Sequence, residues 1–342
     1  MDVRTEQPTQ PAGSPEEAPR RQRLFRLVVG VDGSPGSRAA LVHALTTAAR
    51  RGADLEVVST YPVMLSWTGG APVDVPHVDL IRDDVEARTR EFVAEVRRDP
   101  VVAVVPGVNE VPVSLVVTVG PAAQELVDRS RDADLLVVGS RGRGAVRSVL
   151  LGSVALHCVT HASCPVVVVH PAAVERPQQS RIVVGVDGSD SSRAALAAAV
   201  DEAGRRGADV VAVAAYERAD YWTDLYTVAL PAVEAVGAGV LRGAEQMVED
   251  VLKTSEQPGV PVPHVRIEAM RGAAADLLLE VAEEADLLVV GSRGRGALRG
   301  LLLGSVALHC VLHATCPVLV VHPPSGHAAG TPVRSAAAWA GG

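Results

Sequence analysis

One stretch occurs twice in this chain and limits what the whole can fold into. Leu135 to Pro171, LLVVGSRGRGAVRSVLLGSVALHCVTHASCPVVVVHP, returns as Leu287 to Pro323, LLVVGSRGRGALRGLLLGSVALHCVLHATCPVLVVHP, and the 37 positions differ at six. Each copy reads as a buried strand, a glycine-rich turn, a helix start and a second buried strand. A chain of 342 residues that repeats such a unit is organised as two similar domains.

Upstream of each copy the same order of elements is specified. Leu27-Val28-Val29-Gly30-Val31 is an apolar run delivering Asp32-Gly33-Ser34 to its C-terminal end, and Ile182 to Val186 does the same for Asp187-Gly188-Ser189. A helix follows from Ser37 to Arg51 and from Ser192 to Arg206. Paired arginines in its last turn offset the helix dipole, and Gly52 or Gly207 supplies the left-handed cap. Second strands follow at Leu55 to Thr60 and Val210 to Ala215; a strand-helix-strand connection of this kind implies parallel pairing.

The segments 62–112 and 216–262 resemble each other least. The first holds a proline- and glycine-marked loop and a helix from about Val78 to Arg98; the second clusters Tyr216, Tyr221, Trp222 and Tyr226 before a helix ending near Lys253. That aromatic group reads as a packed loop. Third strands at Val113 to Val119 and Val265 to Met270 lead to helices 121–131 and Gly272 to Glu283, with Pro121 suited to a first helical position. Strand and helix thus alternate through five strands in each half. This predicts an α/β fold of two tandem doubly wound domains, each a five-stranded parallel sheet with helices on both faces, Rossmann-like, binding ligand beyond the carboxyl ends of its strands.

The expected boundaries are a disordered N-terminal tail at 1–22, rich in Pro, Glu and Gln, a first domain at 23–171, a linker at 172–180, a second domain at 181–323 and a flexible C-terminal tail at 324–342. With 48% hydrophobic but only 3% aromatic residues, the cores must be packed from Val, Leu and Ala. A formal net charge of -8 argues against a general nucleic-acid or membrane-surface role, since both rest on summed positive potential. No apolar run reaches the length of a membrane span, and no signal-peptide order opens the chain, so a cytoplasmic protein is expected. Cys158, Cys164, Cys310 and Cys316 occupy matching places in the repeats and are expected as reduced thiols.

The chemistry lies in the glycine spacing. Gly139, then two residues, Gly142, then nine, Gly152-Ser153 is repeated as Gly291, Gly294 and Gly304-Ser305. The first glycine directly follows a strand and the last opens a helix. Glycine admits close approach of an anion to the backbone, the free N–H groups of a helix start favour negative charge, and Ser153 and Ser305 add hydroxyl donors. A phosphate chain is the natural occupant of each turn. Glycines also serve ordinary tight turns, but here each motif stands between a strand and a helix and is paired with an upstream strand-end aspartate.

These features resemble the ATP-binding subgroup of the universal stress proteins (the UspA family), whose G-x2-G-x9-G-[ST] pattern both halves match without a gap, over about residues 26–170 and 180–322. The resemblance implies an adenine nucleotide alpha hydrolase-like fold and ATP as the ligand. By the same resemblance Asp32 and Asp187 would contact the ribose or adenine side, and backbone groups near Thr60 and Ala215 would meet adenine. Gly139 and Gly291 would lie near ribose, while Gly142, Gly152, Ser153 and Val154, with Gly294, Gly304, Ser305 and Val306, would hold phosphates. Mg²⁺ would accompany the nucleotide by neutralising its phosphates, although no dedicated carboxylate cluster demands it. The terminal strands PVVVV and PVLVV would pair the two halves within one chain, and a homodimer of the whole is expected by the same analogy.

Arg141, Arg143 and Arg147, repeated as Arg293, Arg295 and Arg299, bring local positive charge to an acidic protein; at least one phosphate contact per site is expected among them. His157 and His161 share one helix face, as do His309 and His313, but with no Cys-x2-Cys pair the bland reading of core cysteines is preferred to a metal site, and no metal ligand is assigned. No cysteine has an evident base beside it, and no catalytic residue is assigned. The expected function is therefore an ATP-binding regulatory module of the stress response with two sites, no or slow hydrolysis and an unidentified protein partner. The alternative is an ATP-using enzyme, a slow ATPase or a relative of the adenylating pyrophosphatases. Asp32-Gly33-Ser34-Pro35-Gly36-Ser37 loosely resembles the phosphate loop of that group, but it lacks the Ser-Gly-Gly beginning, and no general base stands out.

Overall fold

The structure is a computed structural model, described for residues 24–61, 78–143, 151–171, 180–217, 233–295 and 302–323. The two tails, most of the linker, the aromatic group at 221–226, Arg147 and Arg299 lie outside the described residues. The first half runs β1 (Arg26–Gly30), α1 (Pro35–Arg51), β2 (Asp54–Tyr61), α2 (Val78–Arg97), α3 (Pro100–Ala103), β3 (Val113–Val119), α4 (Ala122–Arg129), β4 (Leu135–Gly139), α5 (Ser153–His161) and β5 (Val166–Val169). The second runs β6 (Arg181–Gly185), α6 (Asp190–Arg206), β7 (Asp209–Tyr216), α7 (Val233–Thr254), β8 (Val265–Arg271), α8 (Ala274–Ala282), β9 (Leu287–Gly291), α9 (Ser305–His313) and β10 (Val318–Val321).

The ten strands form one sheet in the order β3-β2-β1-β4-β5-β10-β9-β6-β7-β8. Within each half every pairing is parallel. The halves join through β5 and β10, which run antiparallel with Val318 opposite Val168, Leu319 opposite Val167 and Val320 opposite Val166. Edge pairing thus closes two otherwise open apolar strands against each other.

The strands are apolar on both sides because helices cover both faces. Alternate residues serve alternate faces. Leu27, Val29, Val137, Val167, Ile182, Val184, Val289 and Leu319 enter one core with the inner sides of α1, α2, α6 and α7. Val28, Leu136, Val138, Val166, Val183, Leu288, Val318 and Val320 enter the other, with α4, α5, α8 and α9. Each core runs through both halves, so the boundary between the halves is packed interior.

Local signals account for the helix ends. Ser34 and Ser189 cap α1 and α6, their Oγ atoms accepting from the backbone N–H groups of Ser37 and Ser192 at 3.2 and 3.1 Å. Gly52 and Gly207 close these helices with φ of 57° and 65°. Two details depart from the sequence reading. Pro121 is the N-cap of α4, extended at ψ 119°, and not its first helical residue, so that helix is shorter than 121–131. The added turn α3 is nucleated by Asp99, whose side chain accepts from Val101 N–H at 3.1 Å, with Pro100 preset for a first helical position.

Candidate functional site

In the order 3-2-1-4-5 the chain reverses direction of travel between β1 and β4, and the crevice opens beyond the carboxyl ends of those strands. The first cavity, about 860 Å³, is lined by every residue of the first half proposed from sequence: Asp32, Thr60, Gly139, Gly142, Gly152, Ser153 and Val154. The second, about 810 Å³, is likewise lined by Asp187, Ala215, Gly291, Gly294, Gly304, Ser305 and Val306. Volumes of this order suit a small-molecule ligand.

One end of the cavity is built from the loop after β4 and the start of α5. Ser140 N–H donates to Val169 O at 2.8 Å, and Gly152 N–H donates to Ser140 O at 2.8 Å, so the loop leaves and rejoins the sheet at one point. Ser292 and Gly304 repeat this at 2.8 and 2.7 Å. Gly152 and Gly304 are the N-caps of α5 and α9, and neither helix has a side-chain cap. The first N–H groups of both helices are therefore open to a ligand at the cavity wall, in contrast to the serine-capped α1 and α6.

The carboxylate of Asp32 ties β1 to this loop. One oxygen accepts from Ser34 N–H at 2.9 Å, and the other from Arg143 N–H at 2.9 Å. Asp187 accepts from Ser189 N–H at 2.9 Å, Ser189 Oγ–H at 2.6 Å and Arg295 N–H at 3.0 Å. Burial alone would push both carboxyls up, but these donated hydrogen bonds outweigh it and hold both below the ordinary aspartate value. Both stay ionised at neutral pH. The sequence reading gave these aspartates a ligand contact only; their use as loop anchors is an addition from the tertiary structure.

The motif glycines divide in role. A Cβ on Gly142 would stand 2.5 Å from Asp32 Oδ2, and one on Gly294 would stand 2.7 Å from Asp187 Oδ2, so these glycines admit the carboxylate bond. A Cβ on Gly139 would collide with the Gly36 backbone, and one on Gly291 with Ser191, so here glycine lets β4 and β9 pass the start of α1 and α6. At Gly152 and Gly304 the nearest atom would be 3.4 Å away, an ordinary contact.

Arg141 and Arg143 line the first cavity, and Arg293 and Arg295 the second. Cationic side chains and helix N-termini thus gather on the β4 and β9 side, where the loop is bonded to the strand-end carboxylate. The sequence reading missed the wall contributed by α2 and α7 and the buried Ser59 on β2. Its signal was the helical period of residues such as Val85, Thr89 and Phe92.

The histidine and cysteine groups lie elsewhere. His157 and His161 stack at 4.3 Å, and among the described residues no group of three His, Cys, Asp or Glu is arranged to hold a metal ion. All four cysteines are buried and outside any disulfide, and burial pushes the Cys158, Cys164 and Cys310 thiols up to about 12.

With this geometry, comparison with known proteins gives a consistent result. A model described as the universal stress protein family matches residues 24–170 and again 179–322. The chain belongs to the universal stress protein family. A universal stress protein of Mycobacterium tuberculosis is 37% identical over 309 residues, covering 88% of this chain and 98% of that protein. One from Mycolicibacterium smegmatis is 35% identical over 304 residues, covering 87% and 97%. Among solved structures, a universal stress protein from Archaeoglobus fulgidus shares the fold with a TM-score of 0.59 at 21% identity, covering 87% of this chain and 98% of that one. This universal stress protein is thus a tandem of two family domains. Among its described residues no helix is long and apolar enough to cross a membrane.

Proposed function

We propose that each half binds ATP in the cavity beyond β1 and β4, or β6 and β9, and that the protein works as a nucleotide-dependent regulatory module with two sites. The observation that carries this reading is the N-terminus of α5 and of α9, without a side-chain cap, at a cavity wall that also holds Arg141 and Arg293 and an ionised aspartate bonded to the glycine loop. Phosphates favour the helix end and the arginines. The neighbouring carboxylate favours hydroxyl or amino donors, and each bonded oxygen keeps acceptor capacity. A nucleotide polyphosphate carries both kinds of group. Gly142, Gly152, Ser153 and Val154 would meet phosphates, with Gly294, Gly304, Ser305 and Val306 in the second half; Thr60 and Ala215 stand at the far strand, where the base would lie. Mg²⁺ would arrive on the phosphates.

Binding without fast turnover is favoured because the strand-end aspartates, the carboxylates at the centre of each site, are held below the ordinary aspartate value and committed to backbone donors. Equilibrium titration with ATP, native mass spectrometry of the complex and single-turnover hydrolysis test the reading together. Two bound nucleotides, released more slowly than they are bound and without prior cleavage, are expected. Absence of ATP binding, or phosphate release faster than nucleotide dissociation, would overturn it.

A further inference from the structure

The two cavities share a floor but not a wall. In each half the wall is the helix that follows the second strand, on the side of the crevice away from α5 or α9. Val78 opens α2 and Val233 opens α7. Counted from these valines, Asp84, Val85, Arg88, Thr89 and Phe92 in the first half stand where Gly239, Val240, Gly243, Ala244 and Met247 stand in the second, and all ten line their cavities. On the strand beneath, Ser59 is matched by Ala214.

The exchange removes charged and hydroxyl side chains from the wall. In the first half Arg88 Nε donates to Asp84 Oδ1 at 3.1 Å, an exposed ion pair on the cavity wall. In the second, among the described residues a Cβ at Gly243 would meet nothing within 4 Å, and one at Gly239 only the end of Arg242 at 4.0 Å. Two glycines one helical turn apart, continuous with Val236, Val240, Ala244 and Met247, give an uncharged, apolar wall where the first cavity carries charge. Helix propensity does not ask for those glycines, since each weakens a helix interior.

We propose that the two sites are selective for different nucleotides: the second accepts an adenine nucleotide carrying an additional flat apolar group at its base end, and the ion pair of Asp84 and Arg88 with the polar wall excludes it from the first. This rests on the reading of both cavities as ATP sites with the base toward β2 and β7. Covering roughly 60 Å² of apolar surface on this wall corresponds to about a ten-fold gain in affinity.

The test uses the full chain with ATP and N6-benzyl-ATP, followed by calorimetry and native mass spectrometry. Two ATP molecules should bind, whereas N6-benzyl-ATP should bind one site about ten-fold more tightly than the other. The double variant Gly239→Asp with Gly243→Arg, which strengthens the helix while building the first wall in the second site, should bring the benzyl affinity of the second site, taken relative to the ATP affinity of the same variant, down to that of the first. Asp84→Ala with Arg88→Ala should admit the benzyl group to the first. Equal benzyl affinity at the two sites, or no change in the glycine variant, overturns the proposal while two ATP sites stand. Failure of ATP itself to bind removes the underlying reading and the selectivity with it.

Discussion

Asp32 accepts a hydrogen bond from the backbone N–H of Arg143 at 2.9 Å, and Asp187 accepts one from Arg295 at 3.0 Å. A carboxylate at the end of one strand thereby sets the path of a loop that follows another, far away in sequence. The loop backbone can reach it because Gly142 and Gly294 have no side chain. Strand end, carboxylate and glycine loop form one device, present in both halves.

Removing the carboxylate should therefore act on the ligand through the loop. A hydrogen bond to a charged group contributes about 1.5–3 kcal/mol, so Asp32→Ala is expected to weaken ATP binding at the first site about ten- to hundred-fold and to leave the second unchanged. Calorimetry on Asp32→Ala and Asp187→Ala, each against the intact chain, measures this. Equal affinity at both sites of each variant would show that the carboxylate positions nothing.

The glycines should not be equivalent. Gly142→Ala pushes a methyl against Asp32 Oδ2 and should cost loop order and ATP affinity, whereas Gly152→Ala makes only an ordinary contact and should fold with an unchanged melting temperature. Gly152→Val is expected to fold as well but to obstruct the start of α5, removing the first nucleotide; Gly304→Val should remove the second. Thermal melts and native mass spectra of the variants, with two nucleotides retained on either valine variant as the contrary result, decide the matter.

Ligand should stabilise the chain by mass action. At a hundred times the dissociation constant each site adds about 2.7 kcal/mol, provided that the unfolded chain binds none. Denaturant midpoints measured across an ATP series should rise about twice as steeply with the logarithm of ATP concentration in the intact chain as in a single-site variant.

The seam between the halves should respond to acid. His170 follows β5, and its Nε2 lies 3.0 Å from Val311 O at the end of the other half's α9; His322 follows β10 and reaches Val159 O of α5 at 3.0 Å. A carbonyl can only accept, so each Nε2 carries the proton. Burial lowers the pKa of both histidines below 6.5, with Arg141 and Arg293 adding to the effect. The unfolded chain then binds more protons than the native one as the pH falls below about 6.5, so stability is full above that value and declines beneath it. Urea midpoints at pH 7.5 and 5.5 should show a smaller acid loss in His170→Gln with His322→Gln than in the intact chain; an identical loss would place the acid response elsewhere.

Much of this molecule is written locally. The valine runs of β1, β4 and β5, the serine caps at Ser34 and Ser189, the closing glycines at 52 and 207, and the glycine spacing after β4 all act within a few residues of themselves, and a reader of the chain can follow them. Repetition supplied the rest of the architecture, because two matching units of alternating strand and helix admit few arrangements. Pro121 was misplaced by one residue because a cap and a first helical turn both suit proline.

What the chain could not disclose alone depends on which residues meet across long separations. The bond from Arg143 to Asp32, the crossing of Gly139 over Gly36, the reach of His170 to Val311 and the opposition of α2 to the cavity all join segments with no local sign of each other. So does the difference between the two walls, where Arg88 and Gly243 read as ordinary helix positions until packing turns them toward a ligand space. Backbone conformation answers to neighbours in sequence, and so the strands, helices and glycine turns were determined there; the selectivity of a cavity answers to neighbours in space, which only the folded sheet brings together.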